Sequence, residues 1–143
     1  MSIYQGQCHC GKVQCEFEKI KRAINCHCMM CRQMNGGSFS SYVIVEQKYL
    51  SLNFDQNQIK RYQPTHNATK HFCKTCATPI YNSSENRYPG IYIIYLGIIK
   101  NHQSIQFDQN VYCESKLNWL DTIFKRDNYE KSNKQTQIEY KND

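Results

Sequence analysis

Nine cysteines dominate the reactive side chains of this sequence: Cys8, Cys10, Cys15, Cys26, Cys28, Cys31, Cys73, Cys76 and Cys113. Seven of them fall into three tight groups, Cys8-His9-Cys10, Cys26-His27-Cys28-Met29-Met30-Cys31 and Cys73-Lys74-Thr75-Cys76. Thiols two or three residues apart converge readily on one metal ion, whereas a disulfide at that spacing is usually strained. An odd total also fits poorly with a closed disulfide framework. The groups therefore read as zinc ligands.

Ligand counting suggests how they are shared. A structural zinc takes four ligands in a tetrahedron. Cys8 and Cys10 supply two and Cys73 and Cys76 supply two more, closing a long loop from the N-terminus to the middle of the chain. Cys26, Cys28 and Cys31 remain, with no further cysteine nearby. Three protein ligands and one exchangeable position make a catalytic zinc site. The alternative is that a histidine completes this set as a second structural site. His9 and His27 each lie between two cysteines, and in an extended strand the middle residue points away from its neighbours. His66 and His71 are better placed, although His71 reads first as a partly exposed strand residue. Cys15 alternates with Val13 and Phe17, and Cys113 shares parity with Val111 and Phe107, so both read as buried core thiols without metal.

The elements that must hold these groups are short strands. Candidates are Lys12–Phe17, Ser38–Val45, Leu50–Asn53, Ile59–Tyr62, Lys70–Phe72, Ile80–Asn82, Tyr92–Ile98 and Ile105–Tyr112, separated by turn residues such as Asn35-Gly36-Gly37 and Pro89-Gly90. Met29 to Met34 is expected to form a helical turn that brings Cys28 and Cys31 together. Leu117, Leu120 and Phe124 recur at helical spacing, so Ser115 to Phe124 reads as a short helix with Ser115 as its N-cap. The expected fold is mainly β: one domain of short antiparallel strands over residues 1–124, with zinc in place of part of its core, and a polar tail over 125–143.

Composition narrows the function classes. The chain has 143 residues, with 40% hydrophobic and 13% aromatic content, which suits one ordered domain. Its longest apolar run, Ile91 to Ile99, is far short of the roughly 20 residues of a membrane helix. The first residues are too polar for a signal peptide, so a soluble, cytoplasmic protein is expected. Seven thiolates and two zinc ions would lower the formal charge from +6 to +3, which removes most of the bulk-charge argument for nucleic acid. The tail carries five basic and four acidic residues, so it is no basic arm.

The order CxCG, CHCxxCR, Gly36-x-x-Phe39, FCxxC and Glu114-Ser115-Lys116-x-x-Trp119 resembles the glutathione-dependent formaldehyde-activating enzyme family, also called the centromere protein V family. The matching stretches are Gly6–Val13, Asn25–Val45, Lys70–Tyr81 and Val111–Trp119. The resemblance implies a β-tent fold. It also implies the same partition: Cys8, Cys10, Cys73 and Cys76 on a structural zinc, and Cys26, Cys28 and Cys31 on a catalytic one. Its members are carbon–sulfur lyases that join glutathione and formaldehyde into S-hydroxymethylglutathione. Two departures stand out. Ala77 replaces the glycine usual after the second CxxC, and Ile91–Lys100 lacks an acidic residue near its end. An open thiolate-ligated zinc suits this chemistry, since a coordinating thiol is deprotonated outright and a nearby carbonyl can be polarised. Glutathione has two carboxylates, for which Arg32, Arg61, Lys70 and Lys74 are candidate partners. The competing expectation is a non-enzymatic zinc module that binds a protein or nucleic acid.

Overall fold

The computed structural model describes residues 3–134 and 137–139. Twelve strands and one α-helix are found there: β1 (Tyr4–Gln7), β2 (Gln14–Phe17), β3 (Arg22–Cys26), α1 (Met29–Asn35), β4 (Ser40–Glu46), β5 (Leu50–Asn53), β6 (Ile59–Thr65), β7 (Ala68–Cys73), β8 (Pro79–Ser84), β9 (Tyr88–Tyr95), β10 (Gln109–Val111), β11 (Asn128–Tyr129) and β12 (Gln137–Ile138). The fold is mainly β. Seven strands form one sheet in the order β10-β3-β4-β9-β8-β7-β6, three form a smaller sheet in the order β1-β2-β5, and β11 pairs with β12. The pairings are antiparallel apart from that of β10 with β3, which is parallel and sets Val111 opposite Cys26.

The interior strand β4 shows why the large sheet must be covered on both faces. Ser40, Tyr42, Val43 and Val45 are all buried. Successive side chains of a strand point to opposite faces. Accordingly Val43 and Val45 join a core with Cys8, Val13, Cys15, Phe17, Ile80, Ile94 and Ile99. Tyr42 joins a second cluster with Cys26, Cys31 and Tyr95. The first core unites the large sheet with the smaller one, and the second contains the start of α1. Close approach of β1 demands a glycine: a Cβ on Gly6 would lie 2.9 Å from the Cys15 sulfur and 3.2 Å from the Ile98 carbonyl oxygen.

Several expectations change here. The strand at Leu50–Asn53 has the expected bounds, but β1 and β3 lie outside the expected strands. Only Gln109–Val111 of the expected strand over 105–112 pairs as a strand. Tyr112 then enters the left-handed region at φ 57°, which reverses the parity of the residues after it. Cys113 is consequently exposed and donates to the Asn110 carbonyl at 3.6 Å, rather than lying in the core; Cys15 is buried as expected. The expected helix over 115–124 is instead two 3-10 segments, Cys113–Ser115 and Leu120–Lys125. Neither has a side-chain cap or a buried residue, and Thr122 leaves helical geometry at φ −121°. A short amphipathic helix relies on burial of its apolar face, and no residue of these two segments is buried.

Candidate metal centres

The first cysteine cluster forms where three chain segments meet. Cys8 follows β1, Cys10 lies in the turn before β2, and Cys73 ends β7 with Cys76 in the turn beyond it. All four sulfurs lie within 4.8 Å of one another. Cys8 and Cys10 are 3.5 Å apart, and Cys10 and Cys73 are 3.7 Å apart. A tetrahedron with Zn–S bonds of about 2.3 Å has edges of about 3.8 Å, so the donor set fits zinc. Hydrogen bonds fix the sulfurs from behind: the Val13 N–H donates to Cys8 at 3.3 Å, the Gln58 amide to Cys73 at 3.3 Å, and the Thr78 hydroxyl lies 3.1 Å from Cys76. The turn that carries Cys76 closes with the Ala77 N–H bonded to the Cys73 carbonyl at 2.9 Å. Ala77 sits there at φ 62°, the backbone conformation that glycine adopts without penalty.

The thiols of this cluster share their protons unequally. Burial opposes ionisation of Cys76, yet hydrogen bonds from Thr78 and the Cys10 N–H bring it down to about 5. Against a backbone hydrogen bond from Lys12, burial and the neighbouring thiols push Cys10 up to about 11. Four adjacent thiols cannot all ionise without a cation, and a divalent ion removes that conflict.

The second cluster is local. Cys26 ends β3, Cys28 is the N-cap of α1, and Cys31 lies in its first turn. The Cys28 sulfur accepts the Cys31 N–H at 3.2 Å, so one ligand caps the helix that carries another. Gly36 ends the helix at φ 74°, its N–H bonded to the Arg32 carbonyl. Cys26 and Cys31 have sulfurs 3.5 Å apart, and the three sulfurs again lie within 4.8 Å of one another. Hydrogen bonding to Cys31 holds Cys26 below the usual thiol range, while that same contact and burial raise Cys31. Burial raises Cys28 as well. Cys26 and Cys31 are buried, whereas Cys28 is half-exposed.

No histidine joins either cluster among the described residues. His27 is buried, with its ring 5.1 Å from that of Phe39. His71 is buried too, not partly exposed, because its ring stacks on Tyr81 at 4.1 Å and its Nε2 meets the Ser83 hydroxyl at 2.8 Å. It lines a cleft of about 690 Å³ that also contains Arg61 and His66. Strand alternation sets Lys70 on the other face, beside Cys31. Arg32 acts as a clamp rather than a free cation: its Nη1 donates to the His27 and Ser115 carbonyls, each at 2.7 Å. Lys74 is exposed and lies between Cys73 and Cys76 of the first cluster.

A polar network behind the second cluster is not visible in the sequence. The Asn35 amide donates to the Ser40 hydroxyl at 2.8 Å and to the Tyr42 oxygen at 3.1 Å. Tyr42 thereby accepts from Asn35, and its hydroxyl lies 3.2 Å from the Cys31 sulfur. The Asn35 side-chain oxygen accepts from Lys70 at 3.0 Å, and the single Tyr95 O–H is shared between that oxygen at 3.1 Å and the Asn82 side-chain oxygen at 3.0 Å. These residues come from α1, β4, β7, β8 and β9, so no spacing marks them in the chain.

Comparison with known proteins agrees with the motif order. A protein of Schizosaccharomyces pombe described as an uncharacterized lyase is 27% identical over 124 residues, covering 85% of this chain and 86% of its own length. A crystal structure of a Rhodobacter sphaeroides protein has the same fold, with a TM-score of 0.58 at 21% identity; the match covers 73% of this chain and 98% of that one. Residues 3–115 match the profile of the glutathione-dependent formaldehyde-activating enzymes, so the stretch that contains both cysteine clusters and the Arg32 clamp places this chain in that family.

Proposed function

We propose that the chain is a two-zinc lyase that forms or breaks the carbon–sulfur bond between a glutathione-like thiol and a small aldehyde such as formaldehyde. The observation that carries this reading is the set of three converging thiols with no fourth ligand among the described residues. Cys8, Cys10, Cys73 and Cys76 would hold a structural ion, and Cys26, Cys28 and Cys31 a catalytic one. When bound at the trio, zinc supplies a position at which an incoming thiol is deprotonated and a carbonyl is polarised.

The chain's own residues prepare that position. The Tyr42 hydroxyl would donate to a Cys31 thiolate, and Asn35 donates to that hydroxyl from the other side. Such partners behind a ligand orient it and tune the metal. Arg32 ties α1 to the 3-10 segment at Ser115, which holds the chain beside the trio. In the reaction the thiol sulfur bonds to the carbonyl carbon, the C=O π pair moves onto oxygen, and that oxygen takes a proton to give a hemithioacetal.

The family match and the lyase relative support the reaction class. No helix among the described residues is long and apolar enough to cross a membrane. The wealth of free thiols suits the reducing cytoplasm, which is the location we propose. Residues 1–124 are proposed as the functional unit, with 125–143 an appendage.

Zinc stoichiometry and thiol-dependent formaldehyde consumption test this together. Purified protein is expected to hold two zinc ions, to bind glutathione, and to speed its reaction with formaldehyde. Cys28→Ser is expected to keep the fold and one zinc while rates fall more than about 100-fold. A native protein that neither binds glutathione nor accelerates the reaction would rule out this substrate pair. A fourth protein ligand on the trio's ion would favour a binding module.

A further inference from the structure

Beside Cys31 lies a small cavity of about 20 Å³ whose walls include Met34, Ala68 and Tyr95. Roughly 10–15 Å³ of such space holds one water, so the innermost part of this half-open pocket takes a group of one or two non-hydrogen atoms. One cation faces it. The Lys70 ammonium donates to the Met34 carbonyl at 2.8 Å and to the Asn35 carbonyl oxygen at 3.0 Å. An ammonium has three N–H groups, so one remains for another acceptor. Lys70 has no carboxylate within ion-pair distance among the described residues. Its ammonium is 5.9 Å from the centre of the Tyr95 ring, and burial lowers its pKa while the Cys31 thiol opposes that effect. A half-buried cation held rigidly beside a thiol cluster, with one donor unused, is arranged for a negative charge that forms there.

We propose that this cavity is the carbonyl subsite of the enzyme, that Lys70 donates its third N–H to the carbonyl oxygen, and that the walls restrict the aldehyde to one carbon. The inference rests on the proposed function and assigns a residue and a size limit within it. As the thiol sulfur bonds to carbon, the π pair becomes a lone pair on oxygen, the Lys70 N–H hydrogen-bonds to that oxyanion, and water supplies the proton that neutralises it. No electrons are gained or lost overall.

Steady-state kinetics of the zinc-loaded full chain with glutathione, using formaldehyde and acetaldehyde in parallel, test both parts. Lys70→Met is expected to lower kcat about 100-fold with zinc content and the KM for glutathione unchanged. Lys70→Arg is expected to recover part of the loss. Met34→Ala is expected to raise the acetaldehyde-to-formaldehyde ratio of kcat/KM about tenfold. If Lys70→Met instead loses the trio's zinc, Lys70 is a strut for α1 and its assignment as donor fails. An unchanged kcat in Lys70→Met, or an unchanged selectivity ratio in Met34→Ala, overturns the subsite while leaving the proposed reaction standing. A native protein inactive on both aldehydes removes the reaction and the subsite together.

Discussion

The two cysteine clusters use the same donor atom at the same spacing and are built in opposite ways. In the quartet, Cys10 and Cys73 are 63 residues apart in sequence, and their sulfurs are 3.7 Å apart in space. In the trio, Cys26 and Cys31 are five residues apart at 3.5 Å. Closing the longer loop costs about 2 kcal/mol more conformational entropy in the unfolded chain. An ion in the quartet would therefore fix the topology of the domain, while an ion in the trio would organise one turn and the start of a helix. Their surroundings differ in the same sense. Cys8 and Cys73 belong to the main core, whereas the trio lies in a small cluster on the other face of the large sheet. Similar chemistry can thus serve rigidity in one place and exchange in the other.

The severest way to break this contrast is Cys73→Ser. Structural zinc contributes on the order of 10 kcal/mol to folding in small domains, comparable with the whole stability of a typical protein. The variant is expected to lose one zinc equivalent and its cooperative melt together, read by metal analysis and circular dichroism. A folded variant with both ions would show that the quartet is not what holds the topology.

Stepwise metal removal sharpens the same point on the native protein. Titration with a chelator is expected to release one equivalent first with the far-ultraviolet spectrum almost unchanged, and the second only as the fold is lost. Simultaneous release would mean that the two sites are energetically one.

Tyr42→Phe probes the trio alone. It deletes the hydroxyl that meets Cys31 while Asn35 keeps its bond to Ser40. Zinc affinity at the trio is expected to fall about tenfold, with the quartet unaffected, in competition with a chromophoric chelator. Equal loss at both sites would indicate a general loosening instead.

Ala77→Gly has the smallest effect and the opposite sign. An L-residue in the left-handed region costs about 1–2 kcal/mol, part of which glycine loses again through its freer unfolded chain. The variant is expected to gain about 1 kcal/mol, visible as a midpoint a few degrees higher in a thermal melt. A lower midpoint would mean that the alanine methyl makes a contact worth more than its strain.

Cysteine grouping is legible in the sequence because metal ligands are constrained by local spacing. Cys26, Cys28 and Cys31 can meet only if the chain turns between them, and Met29–Asn35 does so. Strand β3 is harder to see because its apolar side chains are few and its partners are distant: Ile24 pairs with Tyr42 on one side and Gln109 on the other. Cys113 departs from its expected place because the parity rule holds only while the chain stays extended, and Tyr112 breaks it at φ 57°. The helix expected over 115–124 does not form because periodicity records an apolar face without saying whether anything covers it. Tyr42, Asn35 and Tyr95 leave no signal for a different reason, and Lys70 is marked in the sequence only as a candidate partner for glutathione's carboxylates. Hydrogen bonding among them is a property of sheet register and helix placement, which the chain specifies only once folded.

The wide separation of Cys10 from Cys73 also has a consequence for biosynthesis. At roughly 5–20 residues per second, a ribosome needs roughly 3–13 seconds to make the intervening chain. During that interval Cys8 and Cys10 wait without their partners, while Cys26, Cys28 and Cys31 become complete as a ligand set. In the proposed two-zinc protein the trio could therefore take up an ion before the quartet exists, and the order of metal capture on the growing chain would run opposite to the order of stability in the finished protein. Cells starved of zinc would then release chains in which the more dispensable ion had arrived first.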